Sequence, residues 1–127
     1  MKEKPGQLED DCCSWLRWLD FYKNENSFLK VRLSEVVDNL TDHILLSAAE
    51  NFQSQFILKD ELFAQLQHEI EFLRQKLTDM ARSKKSISMD STVLTKHLRL
   101  KNKMPQLKQD FMQLIENFNS FLYSLQF

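Results

Sequence analysis

Glycine and proline are almost missing. A chain of 127 residues with one glycine and two prolines has little turn-forming material, which excludes a many-stranded β fold built on tight turns. The only glycine, Gly6, stands near the N-terminus, so no glycine-rich loop is present to cradle a phosphate. No apolar run approaches the roughly 20 residues that span a bilayer. Positive or negative excess is missing too: the net charge is −1, so the chain as a whole has no electrostatic preference for nucleic acid or anionic lipid. The opening residues, Met1 to Pro5, lead into acids and not into an apolar signal core, so a cytoplasmic home is expected. Only two cysteines occur, Cys12 and Cys13, and they are adjacent. A bridge between neighbours needs a strained backbone that a helix does not provide. A reduced pair is expected, Cys12 packed inside and Cys13 partly exposed, with a vicinal redox switch or soft-metal site as the alternative.

What the chain does have is apolar periodicity. Leu8, Cys12, Trp15, Leu19, Tyr22, Asn26, Leu29, Leu33, Val36 and Leu40 recur at alternating spacings of four and three, which holds one stripe of a helix toward a neighbour. A second stripe runs Leu45, Ala49, Phe52, Phe56, Lys59, Phe63, Leu66, Ile70, Leu73, Leu77, Met80. A third runs Val93, His97, Leu100, Met104, Leu107, Phe111, Leu114, Phe118, Phe121, Leu125. Ten Phe, two Trp and five Met supply large, adaptable core side chains.

The stripes predict an all-α chain, one domain over 1–127. Helices are expected at about 8–40, 42–82 and 90–126, after a flexible tail at 1–6. Thr41 or Asp42 is expected to cap the second helix and Asp90 or Ser91 the third, with a loop over Ser83 to Ser88. Short connections make sequential helices antiparallel, giving an elongated up-down-up three-helix bundle with coiled-coil-like packing. Pro105 removes a hydrogen bond and crowds the preceding turn, so the last helix is expected to be kinked or broken there, with Met104 near an N-cap.

Each stripe contains one conspicuous polar member: Asn26, Lys59 and His97. Folding the first two helices back on one another brings Asn26 and Lys59 into the same layer, where a polar seam residue fixes register at some cost in stability. Lys59 is expected to send its ammonium outward toward Glu25 or Glu61. His97 reads as a packed histidine near a helix start. The residues three before His43, His68 and His97 are Leu40, Gln65 and Leu94, so the Glu-x-x-His pairs of di-metal bundles are absent. His68-Glu69 begins like a zinc-protease helix, but the position for its second histidine holds Phe72. No catalytic residue, cofactor or metal ligand is therefore assigned, and an enzyme is not expected.

Two surface features remain. Between Arg82 and Lys108 lie eight basic residues, Lys96, Arg99, Lys101 and Lys103 among them, and a single acid, Asp90. This strip is expected to be neutralised by acids such as Glu9, Asp10, Asp11 and Asp20 or by Glu69 and Glu71; the alternative is binding of nucleic acid or anionic membrane. Trp18, Phe21 and Phe28 stand beside the first stripe and not on it, as do Leu58, Leu62 and Phe72 beside the second. They either widen the core face or form an exposed patch for a partner helix.

The segments WLRWLDFYKNENSFLKVRLSEVV (Trp15 to Val37) and FQSQFILKDELFAQLQHEI (Phe52 to Ile70) resemble small uncharacterised bacterial coiled-coil proteins of about this length. The resemblance implies helices and no activity, and draws attention to Asn24, Glu25, Asn26, Lys59, Asp60 and Glu61. The expected function is a non-enzymatic helical interaction or scaffold module, self-associating or binding a protein through Trp18, Phe21 and Phe28, without a small-molecule substrate.

Overall fold

A computed structural model describes residues 5–82 and 91–125. These form three helices, α1 (Pro5–Val37), α2 (His43–Arg82) and α3 (Ser91–Ser124), and no strand among the described residues. Helix α1 packs against α2 and α2 against α3, an all-α bundle.

The helix ends are set by side chains in place of glycine. Helix α1 starts at Pro5, whose missing N–H is one of the donors a first turn leaves unbonded anyway. Residues 5 and 6 therefore belong to the helix and not to the expected tail; residues 1–4 lie outside the described residues. The helix stops at Val37, short of the expected residue 40. Its last carbonyls are taken by Asn39 Nδ2 on Glu35 O (3.3 Å) and by turn bonds from Asn39 N to Val36 O and Leu40 N to Val37 O (both 3.1 Å). Asp42 then caps α2: its Oδ1 accepts from the backbone N–H of Ile44 (2.8 Å) and Leu45 (3.2 Å), a contact worth about 1 kcal/mol. Asp90 and the loop at 83–88 lie outside the described residues.

Helix α3 runs through Pro105 as one helix, so of the two expected alternatives the chain is not divided there, and Met104 is a buried interior residue in place of a cap. Pro105 itself is exposed. The Lys101 carbonyl that it cannot serve is therefore at a solvated face, which keeps the penalty small.

Every buried side chain among the described residues belongs to one of the three stripes. Phe56, Phe63, Phe111 and Phe118 are the largest of those fully enclosed, each stabilising the fold by roughly 1.5–3 kcal/mol. Outside the seams the helices are stapled by amide pairs four residues apart: Gln55 to Asn51 (3.0 Å), Gln75 to Asp79 (3.1 Å), Gln106 to Asp110 (2.9 Å) and Gln113 to Asn117 (3.0 Å).

Contacts gather into two compact units. One is Leu16–Glu69, a hairpin of α1 and α2; the other combines the chain up to Trp15 with everything from Ile70 onward. In the hairpin, Tyr22 meets Phe63 (ring centroids 6.0 Å apart), Asn26 meets Asp60 and Phe56, and Lys23 meets Gln67. Positions late on α1 face positions early on α2, so the two run antiparallel. In the other unit, the start of α1 lies against the start of α3 through Asp11, Trp15 and His97, and the end of α2 meets α3 through Phe72 and Lys96.

Candidate interaction surfaces

The hairpin seam has a polar centre. Asn26 is fully buried, and its Nδ2 donates to Phe56 O (2.8 Å) and Asp60 Oδ1 (2.7 Å). Both partners are acceptors, which fixes the orientation of the amide and leaves Asn26 Oδ1 buried without a partner. Asp60 Oδ2 pairs with Lys30 Nζ. The sequence places Lys59 in about this layer, and the amide bonds the residue next to it, Asp60. Lys59 is half-buried, Glu25 half-buried and Glu61 exposed. A side chain as short as Asn bonds the facing backbone and whatever stands beside it.

The two flanks of α1 differ in chemistry. Residues one step after core members, Lys23 and Lys30, join Gln67 (2.9 Å) and Asp60 across the seam. Residues one step before core members are Trp18, Phe21, Glu25, Phe28 and Arg32. Phe21 and Phe28 are 64% and 66% exposed and Trp18 38%. Phe21 leans edge-on against Tyr22 at 6.1 Å, and Val31 extends the exposed apolar area. The sequence expectation that these rings stand beside the seam is met by their positions, and the seam itself is filled without them. On α2, Leu58 and Phe72 are likewise exposed and Leu62 is half-buried.

In the other unit, His97 is buried, with Nε2 2.8 Å from Asp11 Oδ2 and its ring 5.3 Å from that of Trp15. Cys12, on the same turn of α1, is fully buried, and Cys13 is exposed. Burial first, and then the negative charge of Asp11, push the Cys12 thiol up to about 12, so it is held as an unreactive thiol. Among the described residues no cluster of three His, Cys, Asp or Glu is placed to hold a metal ion.

Within the basic strip, Lys96 lies over an aromatic ring that it shares with Lys76 of α2. Lys96 Nζ lies 4.6 Å and Lys76 Nζ 5.4 Å from the centre of the Phe72 ring, a cation–π arrangement worth about 0.5–1 kcal/mol at such a surface. Of the acids expected beside it, Asp11 goes to His97. Among the described residues no carboxylate lies within ion-pair distance of Lys96, Lys101 or Lys103. Arg99 and Lys101 are exposed and Lys103 is half-buried; Lys84 and Lys85 lie outside the described residues. No helix among the described residues is long and apolar enough to cross a membrane.

Sequence reasoning missed one surface. On α3 each residue immediately after a core member repeats the four-three spacing: Leu94, Leu98, Lys101, Pro105, Lys108, Met112, Ile115. Leu98 and Met112 are 57% and 50% exposed. The signal was present as a duplicate of the core stripe shifted by one residue, and was hidden by the lysines at its centre. No family model, no curated protein and no solved structure matches the chain.

Proposed function

We propose that the chain is a non-enzymatic, coiled-coil-like interaction module of the cytoplasm, acting as a small adaptor or a homo-oligomer through the α1 face of Trp18, Phe21 and Phe28. The observation that carries this reading is the exposure of Phe21 and Phe28, seven residues apart on one face, beside a seam already closed by Leu19, Tyr22, Asn26, Leu29 and Leu33. Two such rings in water forgo roughly 1.5–3 kcal/mol each that a covering helix would recover. Heptad spacing presents them together, which suits a helix laid along α1.

The test is Phe21→Lys with Phe28→Lys, read by light scattering across concentration and by circular dichroism. Loss of association with helicity and melting temperature retained supports the reading. Collapse of the fold, or association that is unchanged, removes it.

A second reading, binding of nucleic acid or an anionic membrane along Lys96, Arg99, Lys101 and Lys103, is favoured by the lack of carboxylate partners at three of these lysines among the described residues. It requires affinity that falls steeply with salt; a flat response eliminates it.

A further inference from the structure

Helix α3 carries two stripes of identical spacing. The first is the core. The second, shifted by one residue, lies about 100° around the helix axis, and every member from Leu98 to Met112 is exposed. We propose that this face, Leu94, Leu98, Lys101, Pro105, Lys108 and Met112, docks an acidic amphipathic helix. It does not depend on the α1 face and stands whether or not that one is used.

Charge and spacing select the occupant. From Ser91 to Lys108 helix α3 has five basic residues, Lys96, Arg99, Lys101, Lys103 and Lys108, and no acid. Two of them, Lys101 and Lys108, stand in the second stripe itself, on either side of Pro105. Apolar side chains lie at both ends, Leu94 and Leu98 before and Met112 after. Leu98 and Met112 are separated by fourteen residues, about 21 Å or four turns. A complementary helix has apolar residues at each end of a four-turn face and carboxylates between them, meeting the lysines.

Pro105 adds a polar contact at the centre. With no N–H of its own it leaves the Lys101 carbonyl without its usual donor four residues on, so an acceptor faces the middle of the stripe. A hydroxyl or amide side chain at the partner's midpoint satisfies it.

Other polyanions fit less well. A bilayer would draw the central line of the face deepest into the acyl boundary, and that line holds two ammonium groups. A nucleic acid would press phosphates onto Leu98 and Met112, which offer them no donor.

The probe is a fluorescent synthetic helix with leucines at four-three spacing at both ends, two glutamates and one serine between, and a control with lysines in place of the glutamates. Anisotropy titrations against the full chain at physiological salt are expected to show binding of the glutamate helix only. Leu98→Glu with Met112→Glu is expected to weaken it at least about tenfold. The milder Leu98→Ser with Met112→Ser should weaken it in the same direction, with circular dichroism confirming the fold of each. Lys101→Glu with Lys108→Glu is expected to reverse the preference toward the lysine helix. The proposal is overturned if the glutamate helix does not bind, if both Leu98/Met112 pairs leave its affinity unchanged, or if charge reversal fails to switch the preferred peptide. It is equally overturned if a single-stranded oligonucleotide or phosphatidylserine vesicles bind more tightly than the peptide and lose affinity with the same variants.

Discussion

Asp11 Oδ2 and His97 Nε2 are 2.8 Å apart, joining the second turns of α1 and α3 across 86 residues of sequence. The imidazole is buried while the carboxylate is still 44% exposed, so the acid reaches inward to serve a ring that water does not. Asp11→Ala leaves a buried imidazole nitrogen unpaired and is expected to cost about 1–3 kcal/mol in urea unfolding. Adding His97→Leu removes the unpaired group as well, and the double variant should recover most of that loss. Additive losses would show that His97 serves chiefly as packing for Trp15.

Asn26 keeps one buried oxygen unsatisfied, which sets up an opposite expectation. Asn26→Leu should raise the unfolding free energy by about 1 kcal/mol, since the unpaired acceptor and the amide leave the seam together. If Asn26 marks the register of the α1–α2 seam, the same substitution should speed amide hydrogen exchange along that seam. A clear fall in melting temperature would mean that the bonds to Phe56 O and Asp60 outweigh the orphan.

The neighbouring thiols should behave as different chemicals. Cys13 is expected to react with a disulfide reagent at the rate of a free thiol, and Cys12 only as the protein opens. Because folding raises the Cys12 value from 9.0 to about 12, the native state holds that proton more tightly than the unfolded chain. The stabilisation is complete below pH 9 and declines as pH climbs toward 12. Tyr22, also raised by burial from its ordinary value of 10.0, acts in the same direction from about pH 10 upward. Urea midpoints recorded up the alkaline range should fall, and Cys12→Ala should flatten the thiol's part of that decline. A midpoint independent of pH between 9 and 11 would contradict the enclosed thiol.

Pro105→Ala restores a backbone donor to Lys101 O, and because that carbonyl stands at a solvated face the gain is expected to be modest, about 1 kcal/mol or less, read as a slightly higher melting temperature. Destabilisation would mean that the local path of α3 depends on the ring of Pro105.

The seams were legible because burial repeats with the helix period, and each enclosed residue, from Leu8 to Phe118, sits where that period puts it. Reach was not legible. Period says that Asn26 faces α2, but choosing Asp60 over Lys59 depends on the length of an amide and the angle at which two helices meet. Asp11 with His97 was hidden for a related reason: the register of α1 against α3 is fixed by the intervening helix and not by either segment alone. The stop of α1 at Val37 carried no glycine or proline to announce it, and rests on Asn39 and the three-residue bonds around it. The second stripe of α3 escaped notice because apolar residues one step off a core line look like a widened core until exposure separates them.

The amide staples along the helices have a consequence for life under osmotic stress. Gln paired with Asn or Asp four residues away binds through dipoles at least on one side, so dissolved ions screen these contacts far less than they screen paired full charges. A cell that concentrates its electrolytes would weaken long-range attraction at lysine-bearing faces while leaving the rods themselves intact. Brine would thus act on charged contacts made at those faces before it acts on the helices.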